Sequence, residues 1–317
     1  MAMHKESKIY VAGHTGLLGS AVLSKLLSAG YMNVITRTHA ELDLTRKTLV
    51  DRFFEEEHPE YIFLCAGLTG GIMANTTYPA DFLYTNIAIQ NNVFGAAHRY
   101  NVKHVVFYGS SCIYPKFSPQ PIKEEYLFTG LIENTSEAYA VAKIAGITAC
   151  KVFNRQYKTN CYIALVPNSI YGPRDNFDAN NSHVVSALLG KFHKAKSERS
   201  KEIMLWGSGN PRREFLFCED VADASIYAIL HSDELENIHY NVGSGVDYSI
   251  KELAEVIKEV VGYTGSISWD GTMPDGTPKK LLDSSRFNKL GWYPVTPLKM
   301  GLELTYSWYL QSDNISK

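Results

Sequence analysis

The stretch Lys8-Ile9-Tyr10-Val11-Ala12-Gly13-His14-Thr15-Gly16-Leu17-Leu18-Gly19 sets a short apolar run, a glycine-rich loop and the start of an amphipathic segment end to end. Lys8 to Ala12 reads as a buried strand. From Leu17 to Ala29 the apolar residues Leu18, Val22, Leu26 and Leu27 recur at helical spacing, and Gly30 stops the helix. Gly13, Gly16 and Gly19 fall between strand and helix, where side chains would keep the backbone away from a pyrophosphate at the helix N-terminus. The G-x-x-G-x-x-G spacing departs from the G-x-G-x-x-G form of many dehydrogenases, so the flanking strand and helix carry the reading.

The same rhythm continues outward. Asn33 to Thr36 reads as a second strand, Thr45 as the cap of a helix through Glu57 with Leu49, Val50, Phe53 and Phe54 on one side, and Tyr61 to Cys65 as a third strand. A helix over 79–100, a strand over 105–108, a helix over 137–157 and a strand over 161–166 follow. Strands apolar on both faces, alternating with helices, predict an α/β fold: a Rossmann-type doubly wound parallel sheet. After Pro167 a stretch rich in Asn, Asp, Gly and Pro reads as loop. Helices over 183–196 and 249–261, with strands over 203–206 and 266–269, predict a smaller, discontinuous α/β substrate-binding domain. The run 214–230 reads as a strand and helix returning to the large sheet. The expected division is 1–167 plus about 213–235 for the nucleotide, and about 168–212 plus 236–317 for the substrate.

Of the 317 residues, 45% are hydrophobic and 20% charged, which excludes a disordered chain. With 31 Lys+Arg against 33 Asp+Glu, no global field favours nucleic acid or an anionic membrane. No apolar run approaches the roughly 18 residues of a membrane span. Met1 to Ser7 leaves no room for a signal peptide, so a cytoplasmic location is expected. The five cysteines are irregularly spaced, without the C-x-x-C pairs of a zinc site, and are expected as free thiols with no metal.

The chemistry-bearing residues come next. Tyr139 and Lys143 share one face of the 137–157 helix, the only Tyr-x-x-x-Lys in the chain. A nearby ammonium is expected to pull the phenol below its usual value near 10 and make it an acid or base. Ser110 lies at the C-terminal end of a strand, where open α/β sheets bind ligands. At the end of the second strand, Arg37 and the absence of a carboxylate before Glu41 favour a 2′-phosphate and hence NADP(H); Asp43 is placed near the adenine.

Glycine loop, strand-end serine and Tyr-x-x-x-Lys, in this order, resemble the extended short-chain dehydrogenase/reductases. The segments Gly109-Ser110-Ser111-Cys112-Ile113-Tyr114-Pro115-Lys116, Ala138-Tyr139-Ala140-Val141-Ala142-Lys143, Tyr171-Gly172-Pro173-Arg174-Asp175-Asn176-Phe177, Asn181-Ser182-His183-Val184, Trp206-Gly207-Ser208-Gly209, Arg213-Glu214-Phe215 and Pro274-Asp275-Gly276-Thr277-Pro278 narrow this further. They resemble the branch of 3,5-epimerase/4-reductases acting on GDP-4-keto-6-deoxy-D-mannose. The resemblance runs over nearly the whole chain, to about Trp308. It implies hydride transfer at C4 with Ser110, Tyr139 and Lys143, and proton transfer at C3 and C5 with Cys112 as base and His183 as acid. A thiol and an imidazole, with reference values about 8.5 and 6.5, suit a ketone-acidified carbon.

By the same resemblance, Gly13, Thr15, Gly16, Leu17, Leu18, Gly19, Arg37, His39, Asp43, Ala66, Gly67, Tyr139, Lys143, Pro167, Asn168, Ile170 and His183 would meet the cofactor. Ser111, Asn168, Val184, Lys191, Trp206, Arg213, Asp275 and Lys280 would meet the GDP-sugar, with Arg213 and Lys280 offsetting diphosphate charge. Thr15 and His39 stand where relatives often carry arginine, and Cys65-Ala66-Gly67-Leu68-Thr69-Gly70-Gly71 departs from the usual Ala-Ala-x-Val-Gly-Gly. The alternatives are a sister enzyme on another GDP-4-keto sugar, as in colitose or heptose formation, and a non-catalytic dinucleotide-binding regulator. A 4,6-dehydratase typically has an acidic pair where this chain has Ser111-Cys112. The resemblance also implies a homodimer through the 79–100 and 137–157 helices, with Ile144 and Ile147 serving interface or core.

Overall fold

Strand β1 (Ile9–Ala12) is buried along its whole length, because helices cover both faces of the sheet it belongs to. The computed structural model describes residues 3–178, 182–272 and 275–312; Asn181 and Pro274 of the quoted motifs lie outside them. After β1 come α1 (Leu17–Ser28), β2 (Val34–Ile35), α2 (Lys47–Glu57), β3 (Tyr61–Leu64), α3 (Ile72–Thr77), α4 (Pro79–Arg99) and β4 (His104–Tyr108). Then follow α5 (Glu137–Tyr157), β5 (Tyr162–Pro167), β6 (Ser169–Tyr171), α6 (Val184–Ser197), β7 (Glu202–Trp206), β8 (Arg212–Phe217) and α7 (Cys218–Leu230). The chain closes with β9 (His239–Val242), β10 (Asp247–Ser249), α8 (Ile250–Val261), β11 (Ser266–Asp270), β12 (Lys279–Lys280), α9 (Ser285–Asn288) and α10 (Leu298–Gln311).

The large sheet has six parallel strands in the order β2-β1-β3-β4-β5-β9. Period-two alternation sorts its side chains into two cores. Ile9, Val11, Tyr61, Phe63, Val106, Ile163 and Leu165 face α1 and α7. Tyr10, Ala12, Ile62, Leu64, Val105, Phe107 and Ala164 face α2, α4 and α5. Each fully buried aliphatic or aromatic side chain contributes about 1.5–3 kcal/mol, so the sheet is the rigid platform whose strand ends present the site.

Two expectations are corrected here. Strand β8 does not return to the large sheet: it pairs with β6, β10 and β12, and the sixth strand of the large sheet is β9. Its helix α7 does pack beside α1 on the sheet. Thr45 does not cap α2, whose N-cap is Arg46; the Thr45 hydroxyl donates instead to Asp43 at 2.7 Å. Of the two residues expected to serve interface or core, Ile147 is fully buried in the core against the sheet and Ile144 is partly buried. The α8 start matches its sequence: Ser249 and Glu252 close a capping box with bonds of 3.1 and 2.6 Å. All five cysteines are free, and no disulfide joins them.

Candidate active site

The glycine loop is built by its own packing. Gly13 has φ +79°, and a Cβ on it would come within 2.7 Å of the Ala66 nitrogen. A Cβ on Gly19 would strike the Gly13 carbonyl oxygen at 2.0 Å. Gly16, by contrast, is exposed, forms the N-cap of α1 without a side-chain acceptor, and meets nothing nearer than 3.6 Å. The first-turn N–H groups of α1 therefore stand beside the exposed Thr15 without a partner side chain, with Leu17 and Leu18 anchoring the turn in the core. Beyond β3, the position of a Cβ on the exposed Gly67 lies 4.0 Å from Lys143 Nζ, which brings that loop to Lys143. A tight, side-chain-free cradle leading to an ammonium fits a dinucleotide. We expect Gly19→Ala to cost about 1–3 kcal/mol through overpacking and to weaken NADPH binding; thermal scans with and without NADPH check both, and an unchanged Tm contradicts the account.

The adenosine end differs from its sequence reading. Arg37 is not a free cation: its guanidinium pairs with Glu57 at 2.5 Å, lies over the Phe53 ring at 5.4 Å and bonds the Thr36 carbonyl. The Asp43 carboxylate is turned onto the Thr45 N–H and hydroxyl rather than outward, and the Thr45 bonds hold it below the usual carboxylate range. His39 is exposed at the rim.

At the end of β4 the chain turns at Ser110 into a short 3-10 turn, Ser111–Ile113, with the Cys112 N–H donating to Ser110 Oγ at 3.5 Å. Ser111 and Cys112 are buried. Tyr139 and Lys143 project from α5 toward this turn, the Lys143 ammonium standing 5.6 Å from the Tyr139 ring centre. Lys143 is buried and donates to the Tyr108 carbonyl at 2.8 Å; no carboxylate among the described residues pairs with it. Burial brings its ammonium down to about 8.

The expected lowering of Tyr139 is corrected: burial pushes the phenol up, the neighbouring Cys112 adds to this, and the Ser110 hydrogen bond opposes it. Burial likewise pushes the Cys112 thiol up; against it act the Lys280 ammonium first, then the Ser110 hydroxyl and Lys143. The Lys143 shift has a testable sign. The folded form sheds its proton near 8 and a solvated lysine near 10.5, so the folded state binds fewer protons between these values. Relative to Lys143→Met, the free wild-type protein gains stability as pH rises through that window, on the order of 1–3 kcal/mol. Urea unfolding of both proteins at the two ends reads it, and a constant difference contradicts it.

The residues expected at the substrate come from the smaller sheet and α6. The Lys191 ammonium lies 4.8 Å from the ring of the exposed Trp206. Arg213 donates to the Thr277 and Arg212 carbonyls; among the described residues no carboxylate bonds its guanidinium, while Asp275 acts on it through space. Asp275 is tied to Ser208 by bonds of 2.9 and 2.6 Å. Pro167 ends β5 in the core, and Ile170 and Val184 are half-buried on β6 and α6.

Asn168, expected at both ligands, is buried with its amide donating to Glu214 at 2.7 Å and to the Lys280 carbonyl at 3.3 Å; its side chain is a strut between strands. His183 is exposed at the N-cap of α6, beside Asp175, and no contact found among the described residues joins it to Cys112.

Sequence reading missed three supports. Glu214, fully buried, accepts from Asn168, Leu282 and Gly245 and so ties together the segments that carry Asn168, Arg213 and Lys280. Asp175 accepts from the Ser186 hydroxyl while facing His183. Tyr114 donates to Asn241 at 2.5 Å, and Asn241 bonds the Ile122 and Asp283 carbonyls. Each lies within a quoted motif segment, Tyr114 after Ser-Ser-Cys-Ile, Asp175 in Tyr-Gly-Pro-Arg-Asp and Glu214 in Arg-Glu-Phe, and that placement was the visible signal.

Residues 9–243 match the model of the NAD dependent epimerase/dehydratase family. The chain is 52% identical to a probable GDP-L-fucose synthase of Oryza sativa subsp. japonica, over 97% of this chain and 93% of the relative. It is 46% identical to the GDP-L-fucose synthase of Escherichia coli strain K12, over 98% of each. The solved structure of a GDP-mannoheptose C4 reductase from Campylobacter jejuni with NADP bound superimposes with a TM-score of 0.89 at 42% identity, covering 97% of this chain and 99% of that one. The chain belongs to the NAD dependent epimerase/dehydratase family, in the branch that holds the GDP-L-fucose synthases.

Proposed function

We infer that this protein makes GDP-L-fucose, epimerising GDP-4-keto-6-deoxy-D-mannose at C3 and C5 and then reducing C4 with NADPH. The observation that carries the reading is the buried Cys112 thiol, held in the same turn as Ser110 and beside Tyr139 and Lys143. A plain C4 reductase has no use for it. The relatives at 52% and 46% identity bear the corresponding name.

Bound along the glycine loop, NADPH supplies the hydride for C4. Ser110 and Tyr139 donate hydrogen bonds to the C4 oxygen, first as the enolate of each epimerisation and then as the alkoxide of reduction. Cys112 as thiolate takes the proton from C3 or C5, and the C–H electron pair moves into the enolate. His183 returns a proton to the opposite face, and thiol and imidazole exchange protons with solvent before the next carbon. In the last step Tyr139 gives its proton to O4, and Lys143 holds the nicotinamide ribose and offsets the negative charge left on the Tyr139 phenolate. Trp206 and Lys191 take the nucleotide end, Arg213 the diphosphate. The dinucleotide lies on the large sheet, and the GDP-sugar against β7, β8, β12 and α6.

The protein works as a cytoplasmic homodimer through α4 and α5, whose Tyr84 and Val141 are exposed; among the described residues no helix is long and apolar enough to cross a membrane. Mixing enzyme, NADPH and GDP-4-keto-6-deoxy-D-mannose tests the reading. Cofactor oxidation with GDP-L-fucose identified by NMR is the expected result. A product reduced at C4 without inversion at C3 and C5, or no oxidation, overturns it.

A further inference from the structure

The turn that carries Cys112 is only weakly closed by its own backbone. The Ile113 N–H reaches the Ser110 carbonyl at 3.1 Å, but the Tyr114 N–H reaches the Ser111 carbonyl only at 3.5 Å, and the Cys112 N–H lies equally far from Ser110 Oγ. Short 3-10 turns have poorer hydrogen-bond geometry than an α-helix, so the place of this one is set by the groups at its ends. Ser110 enters directly from β4, and Ile113 is buried in the core on the α2, α4 and α5 side of the sheet. The exit falls to Tyr114, the C-cap of the turn.

Tyr114 is buried, and its hydroxyl is held from the edge of the large sheet. It donates to Asn241 Oδ1 at 2.5 Å and lies 3.0 Å from His239 Nε2, both on β9. His239 and Asn241 stand two apart on one strand and so share a face. A hydroxyl that gives its one proton to Asn241 can only accept from the imidazole, which fixes His239 as the Nε2–H tautomer. Its Nδ1 is buried with no partner among the described residues, and burial brings the imidazole down to about 3, so it stays neutral. Asn241 is fixed in turn: its Nδ2 donates to the Ile122 and Asp283 carbonyls at 2.9 and 3.2 Å, and its N–H to the buried Glu124 at 3.1 Å. On the sheet it stands opposite Val166 of β5.

We propose that Tyr114 is a positioning residue for proton transfer at carbon: its phenol, anchored on β9 by Asn241 and His239, fixes the turn that holds the Cys112 thiol. This rests on the reading of Cys112 as the base. Hydride transfer depends on it less, because Ser110 is held at the entry of the turn by β4, and Tyr139 and Lys143 come from α5. Removing the hydroxyl leaves the His239 N–H and the Asn241 oxygen buried without a partner and releases the exit of the turn. A displacement of about 1 Å is enough to slow a step that needs close approach of the reacting atoms.

Two half-reactions test this. In D2O with NADP+ in place of NADPH, deuterium entry at C3 and C5 of GDP-4-keto-6-deoxy-D-mannose, followed by NMR, reads proton transfer without reduction. Single-turnover reduction of NADP+ by GDP-L-fucose reads the C4 step in reverse. Tyr114→Phe is expected to slow deuterium entry on the order of 10–100-fold and to leave the hydride step near the wild-type rate; a merely destabilising change would move both together. Unchanged NADPH affinity confirms that the variant is folded. His239→Leu, which removes one of the two anchors, serves if Tyr114→Phe is not, with the same selective loss expected. Wild-type deuterium entry in a folded variant, or equal slowing of both steps, overturns the proposal. Cys112→Ser, run alongside, keeps that failure apart from a failure of the base assignment: wild-type deuterium entry in Cys112→Ser would remove the base, and the proposal with it.

Discussion

Tyr139→Phe is expected to lower NADPH-dependent turnover on the order of 10²–10⁴-fold, the usual contribution of a positioned general acid, with little change in NADPH affinity. The phenylalanine keeps the ring, its edge-on packing with Phe82 at 6.1 Å and the cation beside it. Only the hydroxyl is lost, and with it both the proton for O4 and a donor to the enolate. Since burial already holds the phenol protonated well above neutrality, the free enzyme stores the acid form, ready to give up a proton to the alkoxide. Steady-state kinetics with NADPH titrations reads the two effects apart. A drop confined to KM would mean that Tyr139 binds the sugar without protonating it.

Cys112→Ser carries the second large effect. A serine hydroxyl in the same buried turn ionises far less readily than a thiol, so proton removal at C3 and C5 is expected to slow on the order of 10²–10⁴-fold. Hydride transfer uses Ser110, Tyr139 and Lys143, which the substitution leaves in place. The variant should therefore still oxidise NADPH slowly and release alcohol that has not been epimerised. Product NMR beside the rate of cofactor oxidation checks this. Wild-type GDP-L-fucose from Cys112→Ser would remove the thiol from the mechanism.

Much of this was legible in the residues because it is local. Apolar runs buried on both faces place β1, β3, β4 and β5; glycines at 13, 16 and 19 place the loop; Tyr139 and Lys143 share a face by helical geometry alone. What sequence could not supply is pairing at a distance. A run such as Arg212–Phe217 reads as a strand by its apolar second half, and only tertiary contacts put it in the smaller sheet while β9 takes the edge of the large one. Arg37 reads as a free cation until Glu57, twenty positions on, is folded against it. The direction of Tyr139 was misjudged because a neighbouring ammonium is visible in a helix pattern and burial is not. Which of Lys279 and Lys280 pairs with Asp247 depends on the register of a two-residue strand.

The most direct measurement is the reaction of wild-type enzyme with NADPH and GDP-4-keto-6-deoxy-D-mannose in D2O, counting carbon-bound deuterium in the product by NMR. Deuterium at both C3 and C5 of GDP-L-fucose, with C4 reduced by hydride from the cofactor, is the predicted result. Cofactor oxidation with deuterium at one carbon or neither would contradict the double epimerase/reductase and assign the chain to another keto-sugar reaction.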